Sequence, residues 1–259
     1  MLVPNAQPFP PRFVNDAPVG RLSVHFTGRE ADLDQVEEML NRKQNSVPSC
    51  CVIHGMPGVG KSQLSLHYSI KSFDGGLYTH IFWTSAMNVD KLMQGFSKVL
   101  DLVGHPDRQV QDQNVKLTTA RLWLEECTVH WLFVIDNVDR STLDFLTMHF
   151  PRRNGKGNVL FTTRTVQVAE ALANMARAPH STLKLQTLDI RDSTTLLFDD
   201  AGIRSEMVTA VQLSHAEELV QCVGCLPLAV VQAASLLKET HMTLENMLNL
   251  YRSERIEVR

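Results

Sequence analysis

Gly55-Met56-Pro57-Gly58-Val59-Gly60-Lys61-Ser62 is a complete G-x-x-x-x-G-K-[ST] loop, and its reading decides the fold. It follows the apolar run Cys50-Cys51-Val52-Ile53 and precedes the helix-compatible stretch Gln63 to Ile70. That context matters, because the motif binds phosphate only as strand, loop and then helix. Gly55, Gly58 and Gly60 let successive backbone N–H groups curl around an anion. The helix beginning near Lys61 aims its unpaired amides and positive dipole end at the same place. Lys61 is predicted to bridge the β- and γ-phosphates, and the Ser62 hydroxyl to hold Mg²⁺. Gly55, Pro57, Gly58, Val59, Gly60, Lys61, Ser62 and Gln63 are the nucleotide-contacting candidates of this loop. Chance produces the pattern in about one chain in a hundred of this length, so a nucleotide site is the reading adopted.

The chain has 259 residues, which suits a core domain plus a smaller appendage. Its net charge of −3 gives no basic footprint and argues against nucleic acid as a partner. No apolar run approaches the roughly eighteen residues of a membrane span, and the start has no signal-peptide pattern. The five cysteines are irregularly spaced. Cys50 and Cys51 fall in the apolar run as small hydrophobes, and Cys222-x-x-Cys225 lacks the partners of a zinc site. A reducing, cytoplasmic setting is expected.

Working outward, residues 1–22 hold Pro4, Pro8, Pro10, Pro11 and Pro18 and read as an extended arm or linker. A helix is predicted from near Arg29, with Leu33, Val36, Met39 and Leu40 at helical spacing. Downstream of the loop, Thr79 to Ser85 reads as a strand, followed by helices over Asn88 to Val103 and Val115 to Cys127. Trp131-Leu132-Phe133-Val134-Ile135 is an unbroken apolar run of the kind that forms a central parallel strand. A helix over Ser141 to Phe150 and strands at Asn158 to Thr163 and Leu183 to Leu188 complete the alternation. The expected fold is a three-layer α/β domain over residues 23–188 with a five-stranded parallel sheet. From residue 189 to 259 the period is purely helical, which predicts a small all-helical second unit.

Two further groups carry chemistry. Asp136, ending the apolar strand, has the place of a Walker B carboxylate that orients Mg²⁺ and its waters. Many hydrolytic enzymes of this type put a second acid directly after it. Here the neighbour is Asn137, which cannot take a proton as a carboxylate can. Asp139 could substitute only if the loop folds back, so slow hydrolysis is expected. Arg164 ends the strand after Thr162-Thr163. If that strand lies beside the phosphate-loop strand, its guanidinium reaches the γ-phosphate and distinguishes tri- from diphosphate. Lys61, Asp136 and Arg164 are thus the candidate catalytic set, with Ser62 and Asp136 as metal ligands.

Together these segments resemble the NB-ARC family of STAND-type P-loop ATPases, the switch modules of NOD-like receptors, plant resistance proteins and apoptotic scaffolds. Phe26-Thr27-Gly28-Arg29-Glu30 is similar to the family's opening motif, with Thr27 a weak second hydrophobe. Phe133-Val134-Ile135-Asp136 is similar to Walker B, Phe161-Thr162-Thr163-Arg164 to sensor 1, and Leu226-Pro227-Leu228-Ala229 to the Gly-Leu-Pro-Leu-Ala motif of the first helical subdomain. The resemblance implies that Pro227 packs near an adenine, with Phe26 and Arg29 flanking the base. It also implies ADP or ATP with Mg²⁺ as ligands, and self-association of the full-length protein in its active state. The expected role is a nucleotide switch within a longer innate-immune receptor, this chain being its nucleotide-binding core and first helical subdomain. Two departures stand out: Cys225 replaces the family's glycine, with Gly224 one place early, and Asn137 follows Walker B, as in relatives that carry tetratricopeptide arrays. The alternative is a loader or replication-initiation ATPase acting on DNA or a protein substrate. The absence of an Asn-Lys-x-Asp motif disfavours a GTPase.

Overall fold

The computed structural model of the chain describes residues 13–42 and 46–257, with side chains through residue 253. A parallel sheet forms the middle layer. In chain order its strands are β1 (Val14–Asn15), β2 (Ser49–His54), β3 (His80–Ser85), β4 (Trp131–Val138), β5 (Gly157–Thr163) and β6 (Thr182–Lys184). They lie in the order β1-β3-β4-β5-β2-β6, all neighbours parallel. Because side chains alternate across a strand, each buried run feeds two cores. Cys50 and Val52 of β2, with Phe133 and Ile135 of β4, face one core, where they meet Phe96, Leu124 and Leu172. Cys51, Ile53, Leu132 and Val134 face the other, against Leu33, Val36, Leu64 and Tyr68.

The helices α1 (Glu30–Asn41) and α2 (Lys61–Asp74) cover the second face. The first is covered by α3 (Val89–Leu102), α4 (Gln113–Glu126), α5 (Leu143–His149) and α6 (Val166–Met175). Sequence reading left α6 unassigned. Its signal is the Thr165 hydroxyl, which caps Val168 N–H, followed by Val168, Ala169, Leu172 and Ala173 buried at helical spacing.

The sheet has six strands rather than the expected five. The extra one is β1, which lies inside the stretch read as an extended arm or linker. Val14 and Asn15 pair with His80 and Ile81, and Val14 and Ala17 are buried. Asp16 adds a bond from the backbone N–H of Trp83 and an ion pair with Lys98. From residue 13 the arm is therefore docked on the sheet edge. Pro4, Pro8, Pro10 and Pro11 lie outside the described residues. The expected strand at Leu183 to Leu188 is shorter and earlier, since the chain leaves the sheet after Leu185 donates to His54 O.

Beyond the sheet, α7 (Ile190–Ala201), α8 (Ala210–Cys222), α9 (Pro227–Thr240) and α10 (Leu244–Glu257) form the helical unit. It has its own core, including Leu197, Phe198, Leu219, Val220, Val230 and Met247. Among the described residues no helix is long and apolar enough to cross a membrane.

One close approach tests how tightly α3 is set against β3. A Cβ on Gly95 would fall inside the van der Waals envelope of Thr84 Oγ1 and Cβ. The Thr84 hydroxyl is itself fixed on Lys91 O at 3.1 Å. Helix propensity favours Ala over Gly by about 1 kcal/mol, but overpacking a rigid contact costs about 1–3 kcal/mol. Gly95→Ala is expected to lower the urea midpoint; a raised midpoint would show that α3 can slide.

Candidate nucleotide site

The phosphate loop leaves β2 at Gly55, whose φ is +153°, and passes Gly58 and Gly60 at +79° and +100° into α2. Such angles are open to glycine and closed to most residues. Gly55 is also required by space, because a Cβ there would meet Leu185 O at 2.6 Å. Lys61 Nζ folds back over the turn, donating to Gly55 O at 2.8 Å and Met56 O at 2.9 Å. Burial first, and then the nearby Arg164 guanidinium, lower the Lys61 pKa, while Asp136 acts in the opposite sense. Two cations therefore converge on one space, and an anion there would relieve both their repulsion and the cost of desolvation.

Arg164 reaches that space because β5 lies directly beside β2, in register from Ser49 on Asn158 to His54 on Thr163. The Walker B strand β4 is one strand further out. Asp136 nonetheless meets the loop: Ser62 Oγ donates to its Oδ1 at 2.7 Å, and Thr162 Oγ1 to the same oxygen at 2.5 Å. Thr162 in turn accepts the Asn137 N–H at 2.8 Å. Among the described residues there is no cluster of three or more His, Cys, Asp or Glu side chains able to hold a metal. The pair present, one hydroxyl and one carboxylate 2.7 Å apart, fits Mg²⁺, which takes few protein ligands and completes its shell with phosphate oxygens and water.

Asn137 owes its place to backbone geometry. The ladder between β4 and β5 slips between Ile135 and Val138, and Asn137 has φ +63°. That is a β-bulge with one residue in the left-handed region, where Asn is among the better tolerated non-glycine residues. Asp139 does not fold back. Its carboxylate accepts from Ser141 N–H at 2.8 Å and Ser141 Oγ at 2.6 Å, capping the turn that follows.

The other side of the site comes from the helical unit and the docked arm. Pro227 opens α9, and Leu228 N–H donates to Gly58 O at 3.2 Å. A Cβ on Gly58 would meet Leu228 Cβ at 3.0 Å and Leu226 Cδ2 at 3.3 Å, so the helical unit rests directly on the phosphate loop. Phe26 stacks on His67 with ring centroids 4.1 Å apart. Arg29 is buried and clamps three partners: Asp32 Oδ2 at 2.9 Å, Val59 O at 3.0 Å and Gln186 O at 2.9 Å. Gln63 bonds the arm backbone, accepting Ser23 N–H and donating to Arg21 O, both at 2.8 Å.

These groups surround a cavity of about 550 Å³, a size usual for a small-molecule site. Of the sequence candidates, Phe26, Arg29, Pro57, Gly58, Val59, Gly60, Lys61, Ser62, Gln63, Arg164 and Pro227 line it. Gly55 shapes the turn beneath, and Asp136 sits behind Ser62 and Thr162. Sequence reasoning missed Ser23, His25, Leu188, Leu196, Leu228 and Val231. Leu228 was within the quoted Leu-Pro-Leu-Ala segment; the others carry no local signal.

Residues 29–206 match the NB-ARC domain model. The chain belongs to the NB-ARC domain family. A nucleotide-binding leucine-rich repeat (NLR)-like protein of Hyaloscypha variabilis is 27% identical over 94% of this chain. The late blight resistance protein homolog R1B-14 of Solanum demissum is 28% identical over 82% of it. The NB-ARC chain spans only 25% and 16% of these two relatives. In structure it is similar to the Aeropyrum pernix ORC2 protein in its ADPNP–ADP complexes, with TM-score 0.62 and 16% identity over 90% of this chain and 70% of that one. Cdc6p of Pyrobaculum aerophilum also gives 0.62, at 11% identity over 89% of this chain and 68% of that one. At such identities the likeness shows the fold alone. This chain is thus an NB-ARC nucleotide-binding module with a parallel P-loop NTPase fold.

The departure at Cys225 is resolved locally. Gly224 and Cys225 both take left-handed φ, +68° and +51°. Cys225 N–H closes the end of α8 on Val220 O at 2.8 Å, and Leu188 N–H donates to Cys225 O at 3.2 Å. The turn that presents Pro227 is therefore made with a strained non-glycine residue. Cys225→Gly is expected to raise the stability of this NB-ARC chain by about 0.5–1 kcal/mol, read as a higher urea midpoint at unchanged slope.

Proposed function

We propose that this module is an ADP/ATP switch, held closed with ADP and opened with ATP-Mg²⁺, within a longer cytoplasmic NLR-like signalling receptor. The observation that carries the reading is the bond from Leu228 N–H to Gly58 O, which ties the helical unit to the turn that cradles phosphate. Whatever occupies that turn bears directly on the lid. A ligand shifts two states only through differential contacts, and Arg164, exposed and close enough to Lys61 to lower its pKa, would be the group that senses a third phosphate. Lys61 and the loop amides would take the phosphates, and Pro227 and Phe26 would flank the base. Ser62 and Asp136 would hold Mg²⁺, which supplies charge neutralisation between phosphates. In the open state the freed faces of the full-length protein would support self-association.

A loader-type ATPase acting on DNA is the second reading. It draws on fold likeness to the replication initiator DnaA bound to AMPPCP and single-stranded DNA (TM-score 0.53, 16% identity) and to the Aeropyrum pernix ORC1 protein in complex with DNA (TM-score 0.54, 14% identity). The net charge of −3 weighs against it, and retardation of duplex or single-stranded DNA at moderate salt would favour it.

Two measurements test the switch. Replacing Arg164 by Ala is expected to leave ADP affinity nearly unchanged and to cut the preference for ATP about tenfold or more, the worth of one charge-assisted bond. Equal losses for both nucleotides would remove the sensor assignment. With Asn137 beside Walker B and Asp139 engaged in a cap, single-turnover hydrolysis is expected below about 0.01 s⁻¹, comparable to GTPases awaiting a partner. A rate near 10 s⁻¹, typical of a dedicated enzyme, would count against a switch.

A further inference from the structure

Gln63 follows Lys61 and Ser62 at the start of α2, the position from which a phosphate contact was expected. Its carboxamide faces another way. Oε1 accepts Ser23 N–H and Nε2 donates to Arg21 O, each at 2.8 Å. An amide side chain suits this task, because it alone offers a donor and an acceptor side by side and so imitates the edge of a neighbouring strand. The segment it holds, residues 21–23, is where the arm leaves the short 3₁₀ turn Val19–Arg21 and enters the stretch carrying Ser23, His25 and Phe26 into the cavity. Ser23 Oγ continues the arrangement by donating to His25 O at 2.9 Å. One turn further along α2, on the same face, His67 stacks on Phe26. The part of the cavity wall made by the arm therefore hangs on α2 from two pegs, an amide and a ring.

We infer that Gln63 is a positioning residue: by bonding the backbone of Arg21 and Ser23 it holds the wall that receives the base of a nucleoside diphosphate, and so sets base selectivity rather than phosphate affinity. The inference rests on the nucleotide reading of the site given above. The division of labour follows from geometry. The Gln63 backbone stays in the first turn of α2, available to an anion, whereas its side chain is spent on the arm. Without the side chain, the Ser23 N–H and Arg21 C=O lose their shared partner, and the wall from Ser23 to Phe26 loosens. The phosphate turn, fixed by its glycines and by Arg29 on Val59 O, does not.

Calorimetric titration with ADP and with UDP, which differ only in the base, separates the two roles. The wild-type chain is compared with Gln63→Ala and Gln63→Glu in the presence of Mg²⁺. The second variant matches Gln63 in size but cannot donate to Arg21 O. Both variants are expected to bind ADP five- to tenfold more weakly than wild type. Repulsion between the new carboxylate and phosphate in Gln63→Glu acts on both ligands alike, so the ADP-to-UDP affinity ratio is the deciding quantity. It should fall toward one in both variants, with UDP affinity of Gln63→Ala within about twofold of wild type. A loss by the same factor for both ligands would assign the side chain to the phosphates and overturn the inference. So would unchanged ADP affinity in Gln63→Ala, or a wild-type chain that binds ADP and UDP equally. A wild-type chain that binds neither ligand would instead bring down the nucleotide reading itself.

Discussion

The unbroken parallel pairing of β2 with β5 is the constraint from which the site follows. Parallel strands that start in register end in register, so the turn after His54 and the residue after Thr163 emerge at the same edge. The phosphate loop and Arg164 are therefore neighbours without any contact between them having to be built. The Walker B carboxylate arrives from one strand further away, and the hydroxyl of Thr162 bridges the gap by bonding both Asp136 and the amide of Asn137. The bulge at Asn137 belongs to the same solution. An extra residue in β4 turns the carboxylate toward Ser62 while Val138 returns to pair with Thr163. A more reactive side chain at position 137 would have to accept the left-handed backbone that the bulge imposes.

Gly58 carries two demands at once. Its φ of +79° is needed by the phosphate turn, and its missing side chain is needed by Leu226 and Leu228 above it. The first concerns ligand, the second the helical unit. One residue thus couples a local backbone requirement to the packing of two units, which explains why α9 meets the loop through main-chain atoms.

Much of this was legible in the sequence, for a definable reason. The loop, the apolar strand ending in Asp136 and the Leu-Pro-Leu-Ala segment each carry their signal within a few consecutive residues. The parallel sheet follows from the alternation of strands and helices. What escaped reading depends on distant partners. Nothing in Val14-Asn15, two residues among prolines, announces a strand; they become one because His80 and Ile81 offer an open edge. Gln63 reads as a nucleotide-contacting residue because it follows Lys61-Ser62, and only the fold brings residues 21–23, some 40 positions away, against its carboxamide. Arg29 carries its signal in the opening motif, but its burial and its bonds to Val59 O and Gln186 O come from segments 30 and 157 positions away. The helix α6 was legible in principle, from Thr165 and the spacing of Val168, Ala169, Leu172 and Ala173.

The contact between the two units is imperfect in a way that suits the reversible closure proposed above. Beside the Leu228 bond, His25 approaches Asp199 and Asp200 at 4.0 and 3.8 Å, too long for good hydrogen bonds. Asp200 Oδ2 is buried with no partner, and burial raises the Asp200 pKa. Leaving a buried acceptor unsatisfied costs about 1–3 kcal/mol, and more for a charged group, so this part of the seam works against close packing of the two units. For the proposed switch this matters, since a ligand moves a two-state balance only by its differential affinity, about 5.5 kcal/mol for a swing from 1:99 to 99:1. One or two charge-assisted bonds from a phosphate to Lys61 and Arg164 fall within that range. In the proposed switch, the weak points in the seam are therefore what would make a third phosphate large enough to matter.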